Sequence, residues 1–106
     1  MIALRTLSIG TDEAPAQFPI RDFSRATETA LASGVDVVVS LPAGHYEIRS
    51  DAAFAYKHGR AAEVAGFVAV PHDANVWLGV SLGESADLVV TPAGVGTLWI
   101  VPAEVY

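Results

Sequence analysis

The sequence predicts an all-β domain, an antiparallel β-sandwich of jelly-roll type, on three observations. Val35, Val37 and Val39 alternate with Asp36, Val38 and Ser40, the period of two of a strand. Pro42-Ala43-Gly44 then reads as a turn, because Pro presets φ early and Gly tolerates a late position. His45–Ser50 resumes the alternation, with Tyr46 and Ile48 on one face and His45, Glu47 and Arg49 on the other. The stretch 35–50 therefore reads as a hairpin that seeds the domain. Beyond it, short apolar runs recur with turn signals at the roughly eight-to-twelve-residue spacing of sandwiches.

Taken in order, Ile2–Ile9 reads as a first strand and Gly10–Pro19, with two Pro and two acids, as a loop or extended arm. Phe18, Ile20 and Phe23 are placed to anchor that arm to the body or to a neighbouring subunit. Ser24–Gly34 is ambiguous. Ser24 and Gly34 could bound one short helix near 24–33, whereas Thr27 and Thr29 favour a strand, and the strand is the reading adopted. Ala52–Lys57 and Ala62–Val70 are read as strands, Pro71–Asn75 as a loop, and Val76–Leu82 as a strand. In the last, Val76, Leu78, Val80 and Leu82 share a face and Trp77 takes the other. Asp87–Thr91 and Thr97–Val101 complete the set, joined by Pro92-Ala93-Gly94.

DLVVT-PAG echoes DVVVS-L-PAG with one leucine fewer, which a shared strand-turn grammar explains without duplication. The apolar ending VPAEVY is of the kind normally docked on a core or a neighbour. The domain reading is an N-terminal strand and arm over 1–22 and a sandwich body over 23–106, one domain overall.

Composition narrows the function. Of 106 residues, 52% are apolar and 17% charged, too apolar for a disordered chain and more than a small interior can hide. The excess points to a subunit interface. Six Lys/Arg against twelve Asp/Glu leave a charge of −6 and no basic face for nucleic acid. With no cysteine, disulfides and thiolate metal sites are ruled out. Arg5 interrupts the N-terminal apolar run, which argues against a signal peptide, and no run approaches the ~18 residues of a membrane span, so a soluble protein is expected. Few lysines guard the strand edges, and symmetric assembly would solve the same problem.

Recognisable catalytic chemistry is sparse. His45-x-Glu47 puts an imidazole and a carboxylate on one strand face, with His58 or His72 as further ligands for a cupin-like metal enzyme. The second histidine of a cupin's close pair is absent, however, and His58 lies in a Gly-flanked turn. No serine sits in a G-x-S-x-G elbow, and a Ser-His-Asp set would have to assemble from distant residues. Gly94-x-Gly96 is followed by no phosphate-binding helix. No catalytic, cofactor or metal residue is assigned. Trp77, Trp99, Tyr46, Tyr56 and Tyr106 could form a sugar platform, the alternative being core or interface anchors, which is how aromatics on strands more often serve. Lys57-His58-Gly59-Arg60 gathers positive charge that an acidic partner could use.

FSRATETALASGVDVVVSLPAGHYEIRSDAAFAYKHG and DLVVTPAGVGTLWIV, within residues 23–101, resemble small accessory proteins of tailed-bacteriophage particles. Those are compact β-sandwiches with a Leu-Pro-Ala-Gly-x-Tyr hairpin. The resemblance implies a non-enzymatic virion subunit, a head decoration or spike-type protein that binds a capsid or other particle shell and forms a homo-oligomer, a trimer being favoured. The residues expected at interfaces are Phe18, Ile20, Phe23, Trp77, Trp99 and Tyr106.

Overall fold

Apolar residues spaced by two turn one side of each strand toward a shared interior, and that spacing builds two layers. A computed structural model describes residues 19–105. Their strands are β1 (Pro19–Arg21), β2 (Thr27–Leu31), β3 (Val37–Leu41), β4 (Gly44–Ser50), β5 (Phe54–Gly59), β6 (Val70–His72), β7 (Leu78–Leu82), β8 (Ala86–Pro92) and β9 (Gly96–Val105), with 3-10 turns at Phe23–Arg25 and Val64–Gly66. One sheet runs β1-β9-β4-β7, with β2 also on β9, and the other runs β3-β8-β5-β6. Every pairing is antiparallel. From β2 to β9 the strands divide between the layers in the order of an eight-stranded jelly roll. The all-β sandwich expected from the sequence is the fold.

The interior joins Leu31, Tyr46, Ile48, Val80, Leu82, Leu98 and Ile100 of the first sheet to Phe54, Leu88 and Val90 of the second. Each such side chain contributes about 1.5–3 kcal/mol on leaving water. The outer face of the second sheet is partly covered by the 60–67 segment. Val64 is buried there, and the Lys57 ammonium donates to the carbonyls of Ala65 (3.2 Å) and Phe67 (3.3 Å).

The stretch 35–50 is not a hairpin. β3 pairs with β8, whereas β4 pairs with β7 and β9, so Pro42-Ala43 carries the chain from one sheet to the other. Two-residue hairpin loops need positive φ within the loop, and neither Pro42 nor Ala43 has it. Gly44, at φ 151°, instead opens β4, and the Tyr46 hydroxyl donates to the Pro42 carbonyl at 2.7 Å, closing the crossing. The echoed segment does the same: β8 and β9 also lie in different sheets. The two echoes are partners. Val38 faces Val89, Ser40 Oγ donates to Asp87 (2.8 Å) and Thr91 Oγ1 donates to Asp36 (2.7 Å), a reciprocal pair about a local two-fold.

Elsewhere the elements differ from expectation for local reasons. Residues 24–34 hold a strand, β2, and the turn before it is capped by Asp22, whose carboxylate accepts from Ser24 N, rather than by Ser24. Ala62–Val70 is not a strand, since Val64 and Phe67 are spaced by three and their segment makes a 3-10 turn. The expected loop at Pro71 is instead β6. An edge position tolerates a residue with no N–H. β7 begins at Leu78, after Trp77, and keeps Leu78, Val80 and Leu82 inward.

β9 runs beyond Val101 to Val105, taking in the apolar ending. Pro102 sits there opposite the gap between β1 and β2, where its missing N–H costs no bond and its carbonyl accepts from Asp22 N. Pro19–Arg21, inside the segment read as an arm, is an edge strand on β9. The strand expected at Ile2–Ile9, and Phe18 and Tyr106, lie outside the described residues.

Burial raises the Tyr46 phenol above its ordinary range, opposed by the charge of Arg25. The folded protein therefore holds that proton more tightly than the unfolded chain, and between the two pKa values the unfolded state binds fewer protons. The stability this supplies is fully present below about pH 10 and falls as pH rises past it. Urea titrations should show the wild type losing more stability above about pH 10 than Tyr46→Phe, which itself costs about 1 kcal/mol at neutral pH through the lost bond to Pro42.

Candidate functional site

The outward side of the first sheet is set by the parity opposite to the core. On β4 this parity presents His45, Glu47 and Arg49, and the register places Glu47 between Val101 of β9 and Gly79 of β7, with Arg49 beside Trp99. Three segments far apart in sequence meet over this face: the turn after β1, the approach to β7, and β9. They bring together Phe23, Ala26, Arg49, Trp77, Trp99 and Val101 around a groove of about 400 Å³. Its walls are mostly apolar. Phe23 meets Trp77 edge-on, their centroids 6.4 Å apart, and the Trp99 indole N–H donates to Glu28 at 3.2 Å.

A polar chain beside the groove holds one wall in place. Ser81 Oγ and His45 Nδ1 are 2.6 Å apart, and His45 Nε2 and Glu47 Oε2 are also 2.6 Å apart. The Arg21 guanidinium donates to Glu47 Oε1 at 3.4 Å and lies over the Trp77 ring, 4.1 Å from its centroid, while Arg49 approaches the same ring at 5.6 Å. Glu47 is only 5% exposed, and a carboxylate that deep needs these partners. Gly79 leaves them room: a Cβ there would stand 3.0 Å from Glu47 Oε2 and 3.4 Å from His45 Cε1. Stacking of Arg21 on Trp77 contributes about 0.5–2 kcal/mol and fixes the indole plane.

Serine, imidazole and carboxylate stand here in the order of a nucleophilic triad, with Ser81 36 residues from His45 in the chain, a meeting the sequence alone could not show. Glu47 holds Arg21, and Arg21 holds Trp77. His45 and Glu47 point away from the interior where a cupin-like ligand set would lie, and His72 packs against Phe54 and Tyr56 with its Nε2 2.7 Å from the Val76 carbonyl. Among the described residues no three His, Asp or Glu side chains gather where they could share a metal ion.

Of the residues expected at interfaces, Phe23, Trp77 and Trp99 converge on the groove, with Trp77 just before β7 rather than on it. Ile20 is exposed on β1 but does not line the groove. The aromatics proposed as a sugar platform divide: Tyr46 is in the core and Tyr56 packs against it, so among the described residues the tryptophans alone of that set stay on the open face. Sequence reasoning missed Arg21, Gly79 and Ser81. The alternation on β4 had already placed Arg49 beside Glu47, but nothing local ties Arg21 to Glu47, a contact that depends on the pairing of β1 with β9.

Compared with known proteins, the chain matches no family model, no curated protein and no solved structure. The fold and site define a jelly-roll sandwich bearing an aromatic groove on one open sheet face.

Gly79→Ala should lower stability by about 1–3 kcal/mol through the crowding of Glu47 and His45. Glu47→Ala should cost about 2 kcal/mol and release Arg21 from Trp77. Near-UV circular dichroism reads the second effect. A tryptophan signal unchanged in folded Glu47→Ala would show that the carboxylate does not position Trp77.

Proposed function

We propose that the protein is a non-enzymatic accessory subunit of a virus particle, of decoration or spike type, which works by packing against itself and against a protein shell. The observation that carries this reading is the groove: Phe23, Trp77 and Trp99 meet on an open sheet face, and Phe23 remains 64% exposed. Large aromatics in a partly desolvated depression are what protein interfaces use as anchors. Ile20 and Val76 are further large apolar side chains open to solvent. Jelly rolls are a common architecture of viral coat proteins, and the resemblance to phage accessory proteins points the same way. The acidic charge and the absence of a basic face favour a protein partner over nucleic acid.

A sugar-binding module is the second reading, favoured by two tryptophans on one open face with Arg49 and Glu28 at the rim. Arg21 counts against it, because its guanidinium already occupies a face of Trp77 that a sugar ring would need.

Particles purified on a density gradient from infected cells test the proposal. The chain should be found in them by mass spectrometry, and a folded Trp77→Ala/Trp99→Ala variant should be depleted at least tenfold, the loss of one anchor's worth of about 1.4 kcal/mol or more. Particles that lack the wild-type chain would contradict the proposal. A monomer whose tryptophan emission shifts on adding oligosaccharides would replace it with the second reading.

A further inference from the structure

Among the described residues four strand edges bound the two sheets, and three of them are blunted. β6 has three residues with Pro71 in the middle, the β1/β2 edge is broken by the turn at Phe23–Arg25, and β7 is interrupted by Gly79, its second residue. β3 is different. It runs Val37–Leu41 without Pro, Gly or charge, and among the described residues it pairs on one side only, with β8. An uninterrupted apolar edge of this kind is a template for another strand.

The fold already shows what that strand should be. β3 takes as its partner β8, which carries a near copy of its own sequence, DLVVT against DVVVS. The pair is centred on Val38 facing Val89, with Asp36–Thr91 and Ser40–Asp87 hydrogen bonds placed symmetrically about that centre. A strand whose complement is a copy of itself is self-complementary. Val38 is also 58% exposed and points away from the core, as does Asp87 of the neighbouring β8.

We propose that two copies of the chain pair through the free edges of β3, antiparallel about a two-fold axis at Val38. The register repeats that of β3 on β8: Val38 faces its counterpart across the axis, Val37 faces Val39, and Asp36 faces Ser40. The two exposed valines then cover each other, and the two four-stranded sheets become one of eight. No charge lies in the contact except Asp36, which meets a hydroxyl donor rather than another acid. Pro42, with no N–H, ends the ladder at one side of each strand. The contact is isologous, as a two-fold requires. It rests on the self-association proposed above but not on the particle shell, and it makes the first assembly step a pair in place of the trimer expected from the sequence.

Native mass spectrometry of the full chain at micromolar concentration tests it. The wild type should give twice the 11.1 kDa chain mass. Val38→Lys, at an exposed position where the fold tolerates it, sets two ammonium groups side by side and should return the monomer. Val38→Cys introduces the only thiol and should cross-link the pair under mild oxidation, because directly opposed Cβ atoms lie about 4.5–5.5 Å apart. Val95→Cys, 84% exposed on the turn before β9, should not cross-link. A wild-type monomer or trimer would overturn the proposal, as would a pair that survives Val38→Lys or a Val38→Cys that links no better than Val95→Cys. Incorporation into particles is read separately, so a monomer that still enters particles sinks the pairing alone.

Discussion

The antiparallel pairing of β4 with β9 is the constraint on which both the core and the groove depend. Its register sets Ile48 against Ile100 on the inner side, and Glu47 against Val101 and Arg49 against Trp99 on the outer. A slip of one residue in β4 would turn Glu47 toward the interior and Ile48 toward solvent. An unpaired buried carboxylate costs several kcal/mol, more than a hydrogen bond or a stacked ring can restore. The same alternation that buries Ile48 completely therefore presents the row that holds Arg21 on Trp77.

The two Pro-Ala-Gly crossings decide how the sheets are shared. Each delivers its second strand to the opposite layer, and together they place β3 beside β8 and β4 beside β9. The centre of the molecule thus has an approximate internal two-fold, visible in the reciprocal Asp36–Thr91 and Ser40–Asp87 bonds. That symmetry relates β4 to β9, both central, but it breaks at β3 and β8: among the described residues β8 has a strand on each side and β3 on one side only.

Much of the fold was legible because strand periodicity and turn residues are local. The faces of β4 and β7, the strands β3, β5 and β8, and the sandwich class all follow from them. The crossing at Pro42-Ala43 was not legible, since a turn signal marks where a strand ends and says nothing about which sheet receives the next. Val64–Gly66 misled because its apolar residues imitate a strand in composition while spaced as a 3-10 turn. Of the site, the sequence marks Phe23 as an anchor of the arm and Trp77 and Trp99 as interface aromatics on strands, but their meeting could not be foreseen. Arg21 joins Glu47 across a distance of 26 residues, and Gly79 matters only because that contact exists.

Native-state amide hydrogen exchange tests the role of the β4–β9 pair most directly. Amides of Tyr46–Arg49 and Leu98–Val101 should exchange only through global unfolding, their free energies matching the stability from denaturant titration and exceeding those of β1 and β6. Exchange from β4 or β9 as fast as from those edge strands would show that the pair is not the element on which the core and the groove rest.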